Sequence, residues 1–64
     1  MIYLTNNKMT VQNYNKIIKV DENEIVFMIL KQMVFVSGNN LFISYLENDE
    51  FQIQGKINDI KFND

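Results

Sequence analysis

Residues 36–62 read VSGNNLFISYLENDEFQIQGKINDIKF, and this stretch decides the fold. Apolar and polar residues alternate through it in short segments, which is the period of a β-strand with one buried face. Gly38, the polar cluster at residues 47–50 and Gly55 separate these segments. The stretch therefore predicts antiparallel strands, with the two glycines as structural residues that supply a positive φ or a bulge at strand ends.

The same pattern extends to the whole chain and predicts one all-β domain, residues 1–64. We expect an antiparallel meander of six to seven short strands, sandwich- or barrel-like, and no helix, because no segment carries a sustained apolar stripe of period 3.6. Turns are expected at residues 6–7, 21–24 and 31–32. The predicted strand segments are 2–5, 8–14 with 17–20 as its continuation, 25–30, 33–37, 41–46, 50–54 and 56–62.

The spacing of Ile57 and Ile60 predicts an irregularity in the last strand. The two residues are three apart, so a regular strand would direct their side chains to opposite faces. A bulge near Asn58 and Asp59 would allow both isoleucines to be buried. The alternative is a regular strand in which Ile60 is half exposed.

The segment 25–36 is apolar on both of its faces. Such a strand must be covered on both sides, either by a sheet that folds over it or by a second copy of the chain. We favour the second copy, because a chain of 64 residues has little material for another layer. The residues predicted to form this oligomer or partner interface are Val26, Met28, Leu30, Val34 and Val36.

Composition argues against catalysis and cofactor binding. The chain has no Cys and no His, so it lacks thiol nucleophiles, imidazole bases and the usual zinc ligands. The acidic groups at 21–24 and 47–50 lie in turns, where we expect them to be solvated, and neither matches a calcium-binding loop. We therefore predict no enzyme activity, no catalytic, metal or cofactor-binding residues, and no small-molecule substrate.

Charge and hydropathy limit the partners. A net charge of −2, with six lysines and no arginine, disfavours general nucleic-acid binding. No apolar run approaches the ~20 residues of a transmembrane helix, and no signal peptide is recognisable. We therefore expect a cytoplasmic protein. We also expect a homo-oligomer, because the core of so short a chain is marginal and neither disulfides nor zinc can reinforce it. One alternative stays open: residues 53–60 resemble the second motif of Sm-type RNA-binding barrels, although Gln54 stands where those proteins carry arginine.

Taken in order, four segments resemble the YabP/YqfC family of sporulation proteins from endospore-forming Firmicutes. They are residues 9–18, the acidic turn at 21–24, the pattern V-x-G-x-x-L-x-I at 36–43, and I-x-G-x-I-x-x-I-x-F at 53–62. The resemblance implies a non-catalytic role in the mother cell, in building the cortex or coat of the forespore envelope. It implies no cofactor.

The segment that is apolar on both faces and the absence of reactive groups lead us to expect a structural module that self-associates and docks a partner, with a membrane protein of the forespore envelope as the candidate and a location peripheral to that membrane. Besides the Sm-like alternative, an unassigned protein-interaction domain of a phage or mobile element remains open.

Overall fold

The computed structural model describes residues 1–63, which form six strands of one antiparallel sheet and no helix. The order across the sheet is β1-β2-β6-β5-β4-β3, so β3 to β6 form a meander and the β1–β2 hairpin lies beside β6. No helix in this range is long and apolar enough to cross a membrane. The strands are β1 Ile2–Thr5, β2 Lys8–Gln12, β3 Lys16–Val20, β4 Glu24–Ile29, β5 Gln32–Leu46 and β6 Glu50–Asn63.

The two long strands β5 and β6 pass through both halves of the molecule. Residues 50–54 of β6 pair with β2, and residues 32–37 of β5 pair with β4. We call β1, β2 and the parts of β5 and β6 beside them (42–46 and 50–54) the β1 half-sheet. The β3 half-sheet consists of β3, β4 and residues 32–37 and 56–63 of β5 and β6. The expectation of separate short strands in residues 33–62 is thus corrected to one long hairpin.

Gly38 and Gly55 lie where this long hairpin bends, within strands rather than at their ends. A Cβ at Gly38 would overlap the carbonyl oxygen of Lys56, and a Cβ at Gly55 would overlap that of Asn40. Gly55 also has a φ of +122°, a conformation that residues with a side chain rarely adopt. The predicted positive φ is therefore found at Gly55, while Gly38 is required by close approach of two backbones.

The bend folds the sheet over a single apolar core. Phe27 of the β3 half-sheet meets Phe51 of the β1 half-sheet edge to face, with ring centroids 5.1 Å apart. The sheet therefore resembles a sandwich, as predicted, and is not closed into a barrel. The buried residues of the core cluster are Met9, Val11, Ile25, Phe27, Ile29, Val34, Val36, Leu41, Phe51 and Ile53.

The predicted bulge in the last strand is confirmed. Ser37 pairs with Asp59 and Gly38 pairs with Ile57, so Asn58 is an extra residue without a partner in β5. The shift turns Ile57 and Ile60 to the same side, and both pack against the core as partly buried residues.

The Asp21 turn fixes the bend from outside. The Asp21 carboxylate accepts hydrogen bonds from the backbone N–H groups of Asn23 and Glu24, at 2.8 and 2.9 Å. The turn then docks on β5, where the N–H of Gly38 donates to the carbonyl of Asn23 at 3.0 Å and the N–H of Leu41 donates to that of Glu22 at 2.8 Å. A solvated acidic turn thus also has a structural role.

Candidate interaction surface

The outer side of the β4–β5 hairpin carries four apolar side chains. Val26 is opposite Phe35 and Met28 is opposite Met33, so all four share one face of the sheet. The other face of the same hairpin belongs to the core. We call Val26, Met28, Met33 and Phe35 the outer apolar face. Val26 is 4% exposed beneath its neighbours, whereas the other three are partly exposed.

The structure places the five predicted interface residues in three different environments. Val26 and Met28 lie on the outer apolar face. Val34 and Val36 are fully buried in the core of the single chain, opposite Phe27 and Ile25. They are therefore not on the surface of this chain, and the prediction that these two residues form an interface is corrected.

Leu30 lies outside both strands. It and Lys31 form the two-residue loop between β4 and β5, one residue earlier than the predicted turn. Leu30 has a φ of +57° and is 80% exposed at the tip of the hairpin.

Met33 and Phe35 complete the outer apolar face, but neither was predicted from the sequence as an interface residue. In an antiparallel hairpin with a two-residue loop, the numbers of directly paired residues have a constant odd sum. Even-numbered residues of β4 therefore share a face with odd-numbered residues of β5, as Val26 does with Phe35. This parity could have identified Phe35 and Met33, in place of Val34 and Val36, from the sequence.

Charged groups surround the outer apolar face. Val26 and Phe35 belong to a row of paired residues that runs across the strands. This row continues to Lys19 on β3 and to Lys61 on β6. The next row contains Glu24 and Asp59, and a shallow depression of about 310 Å³ lies between it and Phe35. This arrangement is an apolar strip with lysines on both sides.

One ion-pair group lies at the edge of this strip. The Lys19 ammonium is 2.9 Å from a Glu24 carboxylate oxygen and 3.8 Å from one of Asp21. Its hydrogen bond to Glu24, followed by the charges of Glu24 and Asp21, raises the pKa of Lys19. The backbone hydrogen bonds from Asn23 and Glu24 lower the pKa of Asp21. These groups are exposed, so the pairs orient side chains more than they stabilise the fold.

The β1 half-sheet has an outer side of different character. A row across its four strands joins Tyr3, Thr10, Gln52 and Tyr45. Both tyrosines are exposed, and Tyr45 lies near the acidic side chains of Glu47, Glu50 and Asp49. Within residues 1–63 no three acidic side chains come together as a metal site would require, and no polar or charged side chain is buried.

These features define a class: a small all-β protein whose single sheet folds over one core and leaves an apolar outer face on the β4–β5 hairpin. The chain belongs to the YabP family, whose family model matches residues 1–64. Comparison with curated proteins and with solved structures gave no significant match.

Proposed function

We propose that this chain is a non-catalytic structural protein of sporulation that acts in the mother cell during assembly of the forespore envelope. Membership of the YabP family supports the link to sporulation. The outer apolar face carries the proposal of a contact function: Met28, Met33 and Phe35 remain partly exposed although they lie in the middle of the sheet. Apolar groups clustered on an outer sheet face are typical of a surface that a partner covers.

The proposed contact is with a protein surface of apolar character. The charge of Lys19 is paired with Glu24 and Asp21 of the same chain, whereas Lys61 lies beside the strip next to Phe35, so a complementary partner would place an acidic group against Lys61. A membrane protein of the forespore envelope is the candidate partner, which would hold the chain at the periphery of that membrane. The proposal assigns no cofactor and no small-molecule substrate to the chain.

A fluorescent fusion expressed in a sporulating, endospore-forming host tests this function. We expect the wild-type fusion to gather around the forespore. Met28→Glu and, separately, Phe35→Gln should leave the fusion diffuse in the mother cell, because each puts a polar group into the apolar contact. Gln54→Glu, on the outer side of the β1 half-sheet, is the matched control and should keep the wild-type position.

Circular dichroism and urea unfolding of the purified variants separate loss of contact from loss of fold. A wild-type fusion that stays diffuse throughout engulfment and cortex formation contradicts the proposal. Salt-dependent binding of single-stranded RNA by the pure protein would favour the Sm-like alternative instead.

A further inference from the structure

The folded-over sheet leaves four strand edges without a neighbour among residues 1–63. Each half-sheet contributes two, because β5 and β6 are each paired on both sides over only part of their length. A free edge presents unpaired N–H and C=O groups that can accept another strand. The four edges are β1, β3, residues 42–46 of β5 and residues 56–63 of β6.

Three of these edges carry features that hinder pairing. The β3 edge has lysines at 16 and 19 and a bulge at Ile18. The β6 edge has the bulge at Asn58 and three charged residues. The β5 edge has a bulge at Ser44. Charged side chains and bulges are the usual means by which sheet edges avoid further strands.

β1 has neither feature. Its sequence, Ile-Tyr-Leu-Thr, contains no charge, and its register with β2 runs without a shift from Ile2 to Thr5. Tyr3 is 48% exposed and Leu4 is 53% exposed. β1 is thus a regular, uncharged strand that is open along one side.

The hydrogen-bond pattern shows which groups of β1 are free. Met1 and Gln12 exchange two backbone hydrogen bonds, of 2.7 and 2.8 Å. Bonded and non-bonded pairs alternate along an antiparallel ladder, so Tyr3 bonds to Thr10 while Ile2 and Leu4 direct their N–H and C=O groups away from β2.

We propose that β1 pairs antiparallel with β1 of a second copy about a two-fold axis, an inference that rests on the regular, uncharged edge of β1 and goes beyond the function proposed above. Ile2 of each copy lies opposite Leu4 of the other and exchanges two backbone hydrogen bonds with it. Tyr3 lies on the axis, opposite Tyr3 of the second copy, as a pair without backbone hydrogen bonds between them. The β1 half-sheets of the two copies then join into one continuous sheet.

A second copy fits this edge better than a foreign strand or an open stack of copies. The pattern apolar–Tyr–apolar is symmetric about Tyr3, so the same strand in reverse complements it residue by residue. A head-to-tail stack would need β1 to pair with one of the edges that carry bulges or charges. Two-fold pairing occupies the β1 edge of both copies, so the assembly ends at a dimer.

A single cysteine introduced into this cysteine-free chain tests the register. Non-bonded antiparallel partners have Cα atoms about 4.5 Å apart, within the range that a disulfide spans. We expect Tyr3→Cys to form a disulfide-linked dimer rapidly under mild oxidation. Ile18→Cys is the matched control, since Ile18 is 46% exposed on the β3 edge, and it should remain monomeric on a denaturing gel.

Charge variants at the same position test the interface without a covalent bond. Tyr3→Lys and Tyr3→Glu should each be monomeric by light scattering at concentrations where the wild type is a dimer, because like charges would face each other across the axis. Mixing the two variants should restore a dimer. Ile18→Lys adds the same charge on the β3 edge and should leave the wild-type dimer intact.

A wild-type protein that stays monomeric, or Tyr3 variants that dimerise as the wild type does, would overturn the pairing. Equal cross-linking of Tyr3→Cys and Ile18→Cys would overturn it as well. These measurements use pure protein and do not depend on the forespore experiment. A dimer with the expected cross-link beside a diffuse fusion would keep the pairing and reject the proposed function.

Discussion

At the scale of single residues, the two glycines set the bend of the sheet. We predict that Gly38→Ala and Gly55→Ala each lower the free energy of unfolding by roughly 2–4 kcal/mol, because each added methyl meets a backbone carbonyl that cannot move freely. Urea unfolding followed by circular dichroism measures this. Ser37→Ala, beside Gly38 on β5, is the control and should change stability by less than about 0.5 kcal/mol. A Gly55→Ala variant as stable as the wild type would contradict the bend described here.

Leu30 is a second residue whose backbone conformation costs free energy. A left-handed conformation costs an ordinary L-residue about 1–2 kcal/mol, and asparagine tolerates it better. We therefore predict that Leu30→Asn raises the free energy of unfolding by about 1 kcal/mol. Leu30→Ala keeps the backbone cost while removing the exposed side chain, so it should give no comparable gain. If both variants gained equally, the side chain and not the backbone would be the source of the cost.

The sequence identified these residues more readily than their roles. Both glycines stood out as breaks in alternation, but a strand that continues through a glycine has the same local pattern as one that ends there. The close approach of Gly38 to Lys56 joins residues far apart in the chain. Local spacing carries no information about such a contact. The parity of the β4–β5 hairpin, by contrast, was available from the sequence and would have placed Val34 and Val36 in the core.

At the scale of elements, the bulge in β6 explains how the last strand contributes to the core. We predict that Ile57→Ala and Ile60→Ala each cost about 1–3 kcal/mol of stability, because both side chains pack against the core from partly buried positions. Asn58→Ala, at the bulge itself, is the control and should cost much less. In a regular strand one isoleucine would face solvent and its substitution would be nearly neutral. Equilibrium unfolding of the three variants distinguishes the two cases.

The Asp21 turn should make part of the stability depend on pH. Its hydrogen bonds from Asn23 and Glu24 lower the pKa of Asp21 below the usual 3.8. A carboxyl group whose pKa is lower in the folded state than in the unfolded state stabilises the fold at pH values above its usual pKa. The contribution is lost as the pH falls through the lower pKa of the folded state.

Urea midpoints measured between neutral pH and pH ~2 test this contribution. We predict that Asp21→Ala is less stable than the wild type at neutral pH and loses less stability on acidification. Asp21→Asn retains a side-chain hydrogen-bond acceptor for the turn. At neutral pH its stability should therefore lie between those of the wild type and Asp21→Ala. An Asp21→Ala variant with the acid profile of the wild type would contradict this role.

At the scale of the whole molecule, local patterns predicted the strand content and the Ile57–Ile60 bulge, and the structure confirms both. The pairing of β2 with β6 could not be predicted in the same way. It joins residues 8–12 to 50–54 and depends on which apolar faces meet once the long hairpin bends. The all-β class follows from alternation, whereas the folded-over arrangement follows from tertiary contacts such as that of Phe27 with Phe51.

The small core of this chain gives association a physical advantage. A chain of this size buries only about 60% of its unfolded surface, so the outer apolar face and the β1 edge are further area that an assembly can cover. Sedimentation velocity of the wild-type protein from micromolar to millimolar concentration is the most direct test. We predict a reversible shift from monomer to dimer that Tyr3→Lys abolishes. A monomer throughout that range would contradict self-association of this chain.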